Sequence, residues 1–74
     1  MENSGFRLIS SHYLNDMRIE KGDILREKSS QKTVKVLNVL KNNAGTVELL
    51  VEYNAPGSFG VPFQKSPDSF QFLT

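Results

Sequence analysis

Any acid–base or metal chemistry in this 74-residue chain has to start from one histidine, His12, and eight carboxylates, because there is no cysteine. His12 has no cysteine to activate, and no serine or acid is placed so as to complete a nucleophile–base–orienter triad with it. It reads instead as a solvated or half-packed side chain. A structural zinc site needs four protein ligands, which one histidine and scattered acids do not supply. Glu48 and Glu52 share one face of a strand pattern, but four residues at about 3.3 Å each set them about 13 Å apart. That exceeds the roughly 9.5 Å of the widest glycosidase carboxylate pairs, so they read as a solvated face. Asp16, Glu20 and Asp23 lack the spacing of a calcium loop. The stretch Pro56-Gly57-Ser58-Phe59-Gly60 contains glycine, yet no Gly-Lys-Ser/Thr follows it, and it reads as a turn. The expectation is therefore no catalytic residue, no cofactor and no metal: a domain that binds and does not catalyse.

Binding chemistry is better represented. Between positions 26 and 41 lie Arg26, Lys28, Lys32, Lys35 and Lys41 against Glu27 alone. Tyr53 and Phe59 flank the neighbouring Pro-Gly turn, and cations beside aromatics are the combination used for single-stranded nucleic acid. These seven residues are the candidate partner-binding set. Against the nucleic-acid reading stands a net charge of only +1 and a pI near 8.1, where dedicated nucleic-acid domains usually exceed 9. The lysines also suit an ordinary solvated edge that discourages aggregation. Tyr53, Phe63, Phe70 and Phe72 fall at alternating positions and are needed first to fill a small core; Phe59 is the aromatic expected to be exposed.

The elements that would position these residues are strands. Lys21-Gly22-Asp23 is a turn signal before a short strand, Ile24-Leu25-Arg26, and Glu27 to Lys32 reads as a polar loop. Thr33 to Leu40 is rich in β-branched residues, and its apolar phase shifts between Val34/Val36 and Leu37/Val39, which a β-bulge accommodates. Lys41 to Gly45 is a hairpin loop, and Val47, Leu49, Val51 and Tyr53 then alternate onto one face. Ala55-Pro56-Gly57-Ser58 fits a type II turn; Phe59, Val61 and Phe63 form a further strand, with Pro62 implying an edge. Ser66-Pro67-Asp68-Ser69 signals a capped 3₁₀ turn, and Phe70 to Leu73 closes the chain as a last strand. Ahead of all this, Phe6-Arg7-Leu8-Ile9 suits a strand or a packed tail. Tyr13, Leu14 and Met17 stand at helical spacing, so Ser11 to Ile19 is expected as a short helix.

This order, with Ile19-Glu20-Lys21-Gly22-Asp23-Ile24-Leu25-Arg26 opening it, resembles the SH3-like small barrels that include KOW and Tudor-type modules. The resemblance implies an all-β, five-stranded barrel over residues 18–74, preceded by an extension, 1–17, that is helical or extended. Gly22-Asp23, Val34-Lys35-Val36, Pro56-Gly57 and the Pro62, Phe70, Phe72 ending are also similar to short uncharacterised proteins carried by prophages, which implies a mobile-element origin. With 38% hydrophobic and 23% charged residues the chain is expected to fold. The first residues lack a secretory pattern, no apolar run approaches the roughly 20 residues that span a bilayer, and absence of cysteine fits a reducing cytoplasm. The leading expectation is a protein-binding adaptor or inhibitor that uses a loop end and a strand edge. A nucleic-acid binder is the alternative, and a homo-oligomer exchanging the segment 6–17 is the third.

Overall fold

The computed structural model describes residues 5–14, 16–54 and 60–73. Eight strands follow one another: β1 (Arg7–Ile9), β2 (Ser11–Leu14), β3 (Met17–Glu20), β4 (Ile24–Glu27), β5 (Thr33–Lys41), β6 (Val47–Tyr53), β7 (Phe63–Lys65) and β8 (Phe70–Phe72), with a 3₁₀ turn at Pro67–Ser69. The all-β expectation holds. The main sheet runs β7-β6-β5-β4-β8, all antiparallel, and β1 also pairs with β5; β2 and β3 form a separate two-stranded ladder.

The long strand β5 organises the rest. Its first half pairs with β4 (Lys35 opposite Ile24) and its last three residues with β1 (Val39 opposite Ile9). Between them Val36 would be unpaired on that side. The turn before β4 fills the gap: Gly22 N–H donates to the Val36 carbonyl at 2.8 Å, and Val36 N–H donates to the Asp23 carbonyl at 2.8 Å. Gly22 lies at φ +98°, the left-handed region that glycine enters without a Cβ penalty. On the other side, the register with β6 shifts between Val36 and Asn38, the bulge that the change of apolar phase predicts. It lets Val34, Val36 and Val39 all turn inward, each 1% exposed or less.

The link between β7 and β8 curls the sheet. These strands sit at opposite ends of the five-strand order, about 19 Å apart if the sheet were flat at ~4.8 Å per strand. Only five residue steps separate Lys65 from Phe70, at most ~18 Å of extended chain, and three of those residues are wound into a 3₁₀ turn that rises only about 2 Å each. The two edges are thus drawn toward each other, and the turn lies against β6. Ser66 caps it: its hydroxyl accepts from Asp68 N–H at 3.3 Å, and Pro67 at the first position is buried, as the Ser-Pro signal predicts. Ile19, Leu25, Val34, Val36, Val39, Leu49, Val51 and Phe70 fill the enclosed space.

Two expectations are corrected. Residues 11–19 do not form a helix. They form the β2–β3 hairpin, with Leu14 opposite Met17 and His12 opposite Ile19. Three apolar residues are too few to fix a helical face, a nine-residue helix nucleates poorly, and Asp16 at φ +66° adopts the left-handed conformation of a tight hairpin turn. The hairpin is anchored by Ile19, which has no exposed surface, and β1 is built into the main sheet. The strand expected from Phe59 begins only at Phe63: Pro62 has no N–H to donate, and Val61 is 71% exposed. The type II turn expected at 55–58 and Phe59 lie outside the described residues.

Ile19→Ala should cost about 2–5 kcal/mol in urea unfolding, the cost of a core cavity, if the hairpin shares the core; a loss under about 1 kcal/mol would show it to be peripheral. Val36→Asp or Val51→Asp should abolish the folded β signal in circular dichroism, because a buried unpaired charge costs several kcal/mol against a total of roughly 5–15.

Candidate functional site

The inner face of the sheet ends in a charge. β4 alternates Leu25 and Glu27 inward, and Glu27 is 2% exposed, the one charged residue among the buried residues described. Its carboxylate is saturated with donors. Oε1 accepts from the Ser30 hydroxyl at 2.5 Å and the Tyr53 hydroxyl at 2.8 Å, and Oε2 accepts from Lys65 Nζ at 2.7 Å. Each donor comes from a different element: the β4–β5 loop, the end of β6, and the end of β7. Lys65 lies inward on β7 because it shares the face of Phe63, which pairs with Val51. Lys65 and Ser30 hold the Glu27 carboxyl down to about 2 from its ordinary 4.5, against the opposing effect of burial, with Tyr53 helping. The carboxylate in turn raises the Tyr53 hydroxyl and the Lys65 ammonium above their ordinary values.

The backbone of the β4–β5 loop is built to hold this carboxylate. Glu27 N–H donates to the Lys32 carbonyl at 2.8 Å and Gln31 N–H to the Glu27 carbonyl at 2.7 Å, with Gln31 at φ +63°. The Ser30 hydroxyl also accepts from Lys32 N–H at 3.2 Å. Lys32 is thereby placed over the Tyr53 ring, 5.3 Å from its centroid, and Phe63 packs against Tyr53 with centroids 4.9 Å apart. The Tyr53 ring is therefore engaged by a cation and by Phe63, and its hydroxyl is committed to Glu27.

The structure divides the seven candidate residues into groups. Arg26 and Lys35 lie on the outer face, on adjacent strands: Arg26 is opposite Thr33 and Gln71, and Lys35 is opposite Ile24 and Glu52. Lys28 is exposed in the turn directly after β4, its N–H donating to the Ser69 carbonyl at 2.9 Å. These three are brought together. Lys32 belongs with Tyr53 and the inner charge cluster. Lys41 is at the far end of β5, opposite Arg7 and Val47, nine residues and roughly 30 Å of extended chain from Lys32. Phe59 is outside the described residues. Sequence reasoning placed Glu27 in a loop and missed its role; the period-2 step from Leu25 to position 27 was the available signal.

Glu52 faces Lys35 in register but does not pair with it. Its carboxylate points to Gly60, where a Cβ would come within 2.9 Å of Oε1. Arg26 is half-buried, and its Nε is enclosed without a hydrogen-bond partner. Among the described residues the ion pairs are Lys65–Glu27 and an exposed Arg18–Glu20 contact at 3.8 Å, so Arg26, Lys28 and Lys35 have no acid. No group of histidine and acidic residues among the described residues is arranged to hold a metal ion, and no helix among them is long and apolar enough to cross a membrane. No family model, curated protein or solved structure matches the chain.

The inner pair is asymmetric, since Glu27 is enclosed while the Lys65 side chain is 40% exposed. Lys65→Met should destabilise more than Glu27→Gln does, because it strands a buried carboxylate. Glu27→Gln should cost only about 1–2 kcal/mol, since the lysine can turn to water, and the double variant should regain part of the Lys65→Met loss. The folded carboxyl titrates below its unfolded value, so its stabilisation is fully present above about pH 4.5 and is lost as pH falls toward 2. Urea unfolding of the four proteins between pH 7 and 2 checks both points; equal losses for the single variants, or an unchanged acid slope in Glu27→Gln, would contradict the arrangement.

Proposed function

We propose that the chain is a non-enzymatic binding module, an SH3-like small barrel that docks on a larger protein as an adaptor or inhibitor. The barrel reading is supported by five strands, β4 to β8, whose sheet edges are drawn together by one 3₁₀ turn. A cysteine-free chain of this kind suits a reducing compartment such as the cytoplasm.

The observation that carries the binding reading is a group of cations without acid partners among the described residues, Arg26 on β4, Lys35 beside it on β5 and Lys28 in the turn after β4, next to β8, whose second edge carries no ladder among the described residues. Open edges accept a partner's strand. Protein is favoured over nucleic acid because Tyr53, the described aromatic of the candidate set, is already engaged by Lys32, Phe63 and Glu27. The chain's net charge of +1 also gives little general attraction to phosphates.

Affinity capture on the tagged protein from nuclease-treated bacterial lysate should retain a defined protein in stoichiometric amount, and retention should fall when Arg26, Lys28 and Lys35 are all changed to Gln. In parallel, a fluorescent oligothymidylate should bind no better than the non-specific range of about 10⁻⁴–10⁻⁶ M at physiological salt. Submicromolar oligonucleotide binding that weakens steeply with salt, with no protein retained, would contradict the proposal.

A further inference from the structure

Resting on the protein-binding reading, we infer that the β4–β8 edge takes an extended acidic segment of the partner, added as a strand beside β8, with the Arg26 guanidinium as the anchor for one of its carboxylates.

Arg26 is the unusual member of the outer face. A guanidinium gives up part of its hydration here, since the residue is half-buried and its Nε is enclosed, yet no carboxylate compensates it. Its Nε–H is a buried donor left unpaired, where such donors are ordinarily paired. The packed stem fixes the direction of the group before any partner arrives, and a fixed fork loses less freedom on binding than a mobile lysine. Its terminal amino groups, which lack a partner among the described residues, are not enclosed as Nε is. They form the planar fork that matches a carboxylate.

The surroundings select an acidic strand. Gln71, exposed on β8, is opposite Arg26, so a strand added at the β8 edge would lie about 10 Å from β4, two strand spacings away. An arginine and a glutamate side chain reaching across Gln71 span that gap. Lys28, exposed in the turn after β4, is two residues from Arg26, at most about 7 Å away along the chain, within reach of a second carboxylate on an added strand. A second carboxylate of the segment would meet Lys28. Lys35 lies diagonally across from Arg26 on β5 and adds to the positive field. β8 itself is short, with Gln71 between the inward Phe70 and Phe72, so main-chain pairing there supplies few hydrogen bonds and the charges supply the selectivity.

The test uses the whole chain, labelled with ¹⁵N, and three probes: the octapeptide Thr-Glu-Val-Glu-Thr-Glu-Val-Glu with blocked ends, its Glu-to-Gln analogue, and an oligothymidylate of eight nucleotides. The acidic peptide should shift the Arg26 Nε–H resonance and the amides of Phe70–Phe72, and should bind at least about tenfold more tightly than the glutamine analogue. Arg26→Lys, which keeps the charge and loses the fork, should weaken it by about tenfold. Lys41→Gln, at the far end of β5, should leave it unchanged. Binding that shifts other residues, or that is indifferent to Arg26→Lys, would overturn the inference. If a protein partner is still captured in that case, the binding-module reading stands. Tighter binding of the oligothymidylate than of the peptide at these same residues would overturn both.

Discussion

Glu27 carries a negative charge at the end of a strand whose other inward residue, Leu25, belongs to the apolar core, and the fold has to compensate that charge or lose it. Enclosing a lone carboxylate is costly in a low-dielectric interior, and the cost is offset only when the geometry of its partners is good. Here the partners are Ser30 three residues on, Tyr53 26 residues on and Lys65 38 residues on. Satisfying the carboxylate therefore requires the β4–β5 loop, the end of β6 and the end of β7 to converge. In a flat sheet β4 and β7 would be about 14 Å apart, so a 2.7 Å contact between Glu27 and Lys65 suits a sheet that curls. The short 3₁₀ link imposes the same curl through the backbone. The chain's connectivity and its buried charge thus specify one shape.

That shape sorts the cations by face. Lys65 points inward and is spent on Glu27, and Lys32 covers Tyr53 at the rim of the same cluster. Arg26 and Lys35 alternate to the other side, where Glu52 is turned away toward Gly60, and Lys28 is exposed in the turn after β4. On the inner face Glu27 and Lys65 neutralise each other, and the outer face keeps an excess of positive charge that a total of +1 conceals. Under the proposed binding reading, this outer face and the β8 edge are where a partner docks. The interior provides the rigidity that holds Arg26 in place.

Much of the strand order is legible in the sequence because its causes are local. The alternation of Val47, Leu49, Val51 and Tyr53, the phase change around Leu37 and the Ser66-Pro67 cap each report a neighbour-to-neighbour constraint. Residues 11–19 misled because Tyr13, Leu14 and Met17 at helical spacing are too few to fix a face, and the deciding feature was a turn at Asp16. The charge cluster was illegible for a different reason: a glutamate between cations looks solvated until partners 26 and 38 residues away are known to converge on it. Position 27 continues the inward step of Leu25, and position 65 that of Phe63, so the face of each was readable although the contact was not. The candidate cations were readable as a list; their partition between two faces and two ends of β5 required the register.

The most direct test of the central interaction is to follow the side-chain carboxyl ¹³C resonance of Glu27 through an acid titration of the folded protein. A midpoint near 2, well below the ordinary 4.5, with Tyr53 and Lys65 resonances changing over the same range, is the result this structure predicts. A midpoint at the ordinary glutamate value would mean that the carboxylate is solvated, that Lys65 and Tyr53 do not hold it, and that the inner charge cluster does not draw the ends of β4, β6 and β7 together.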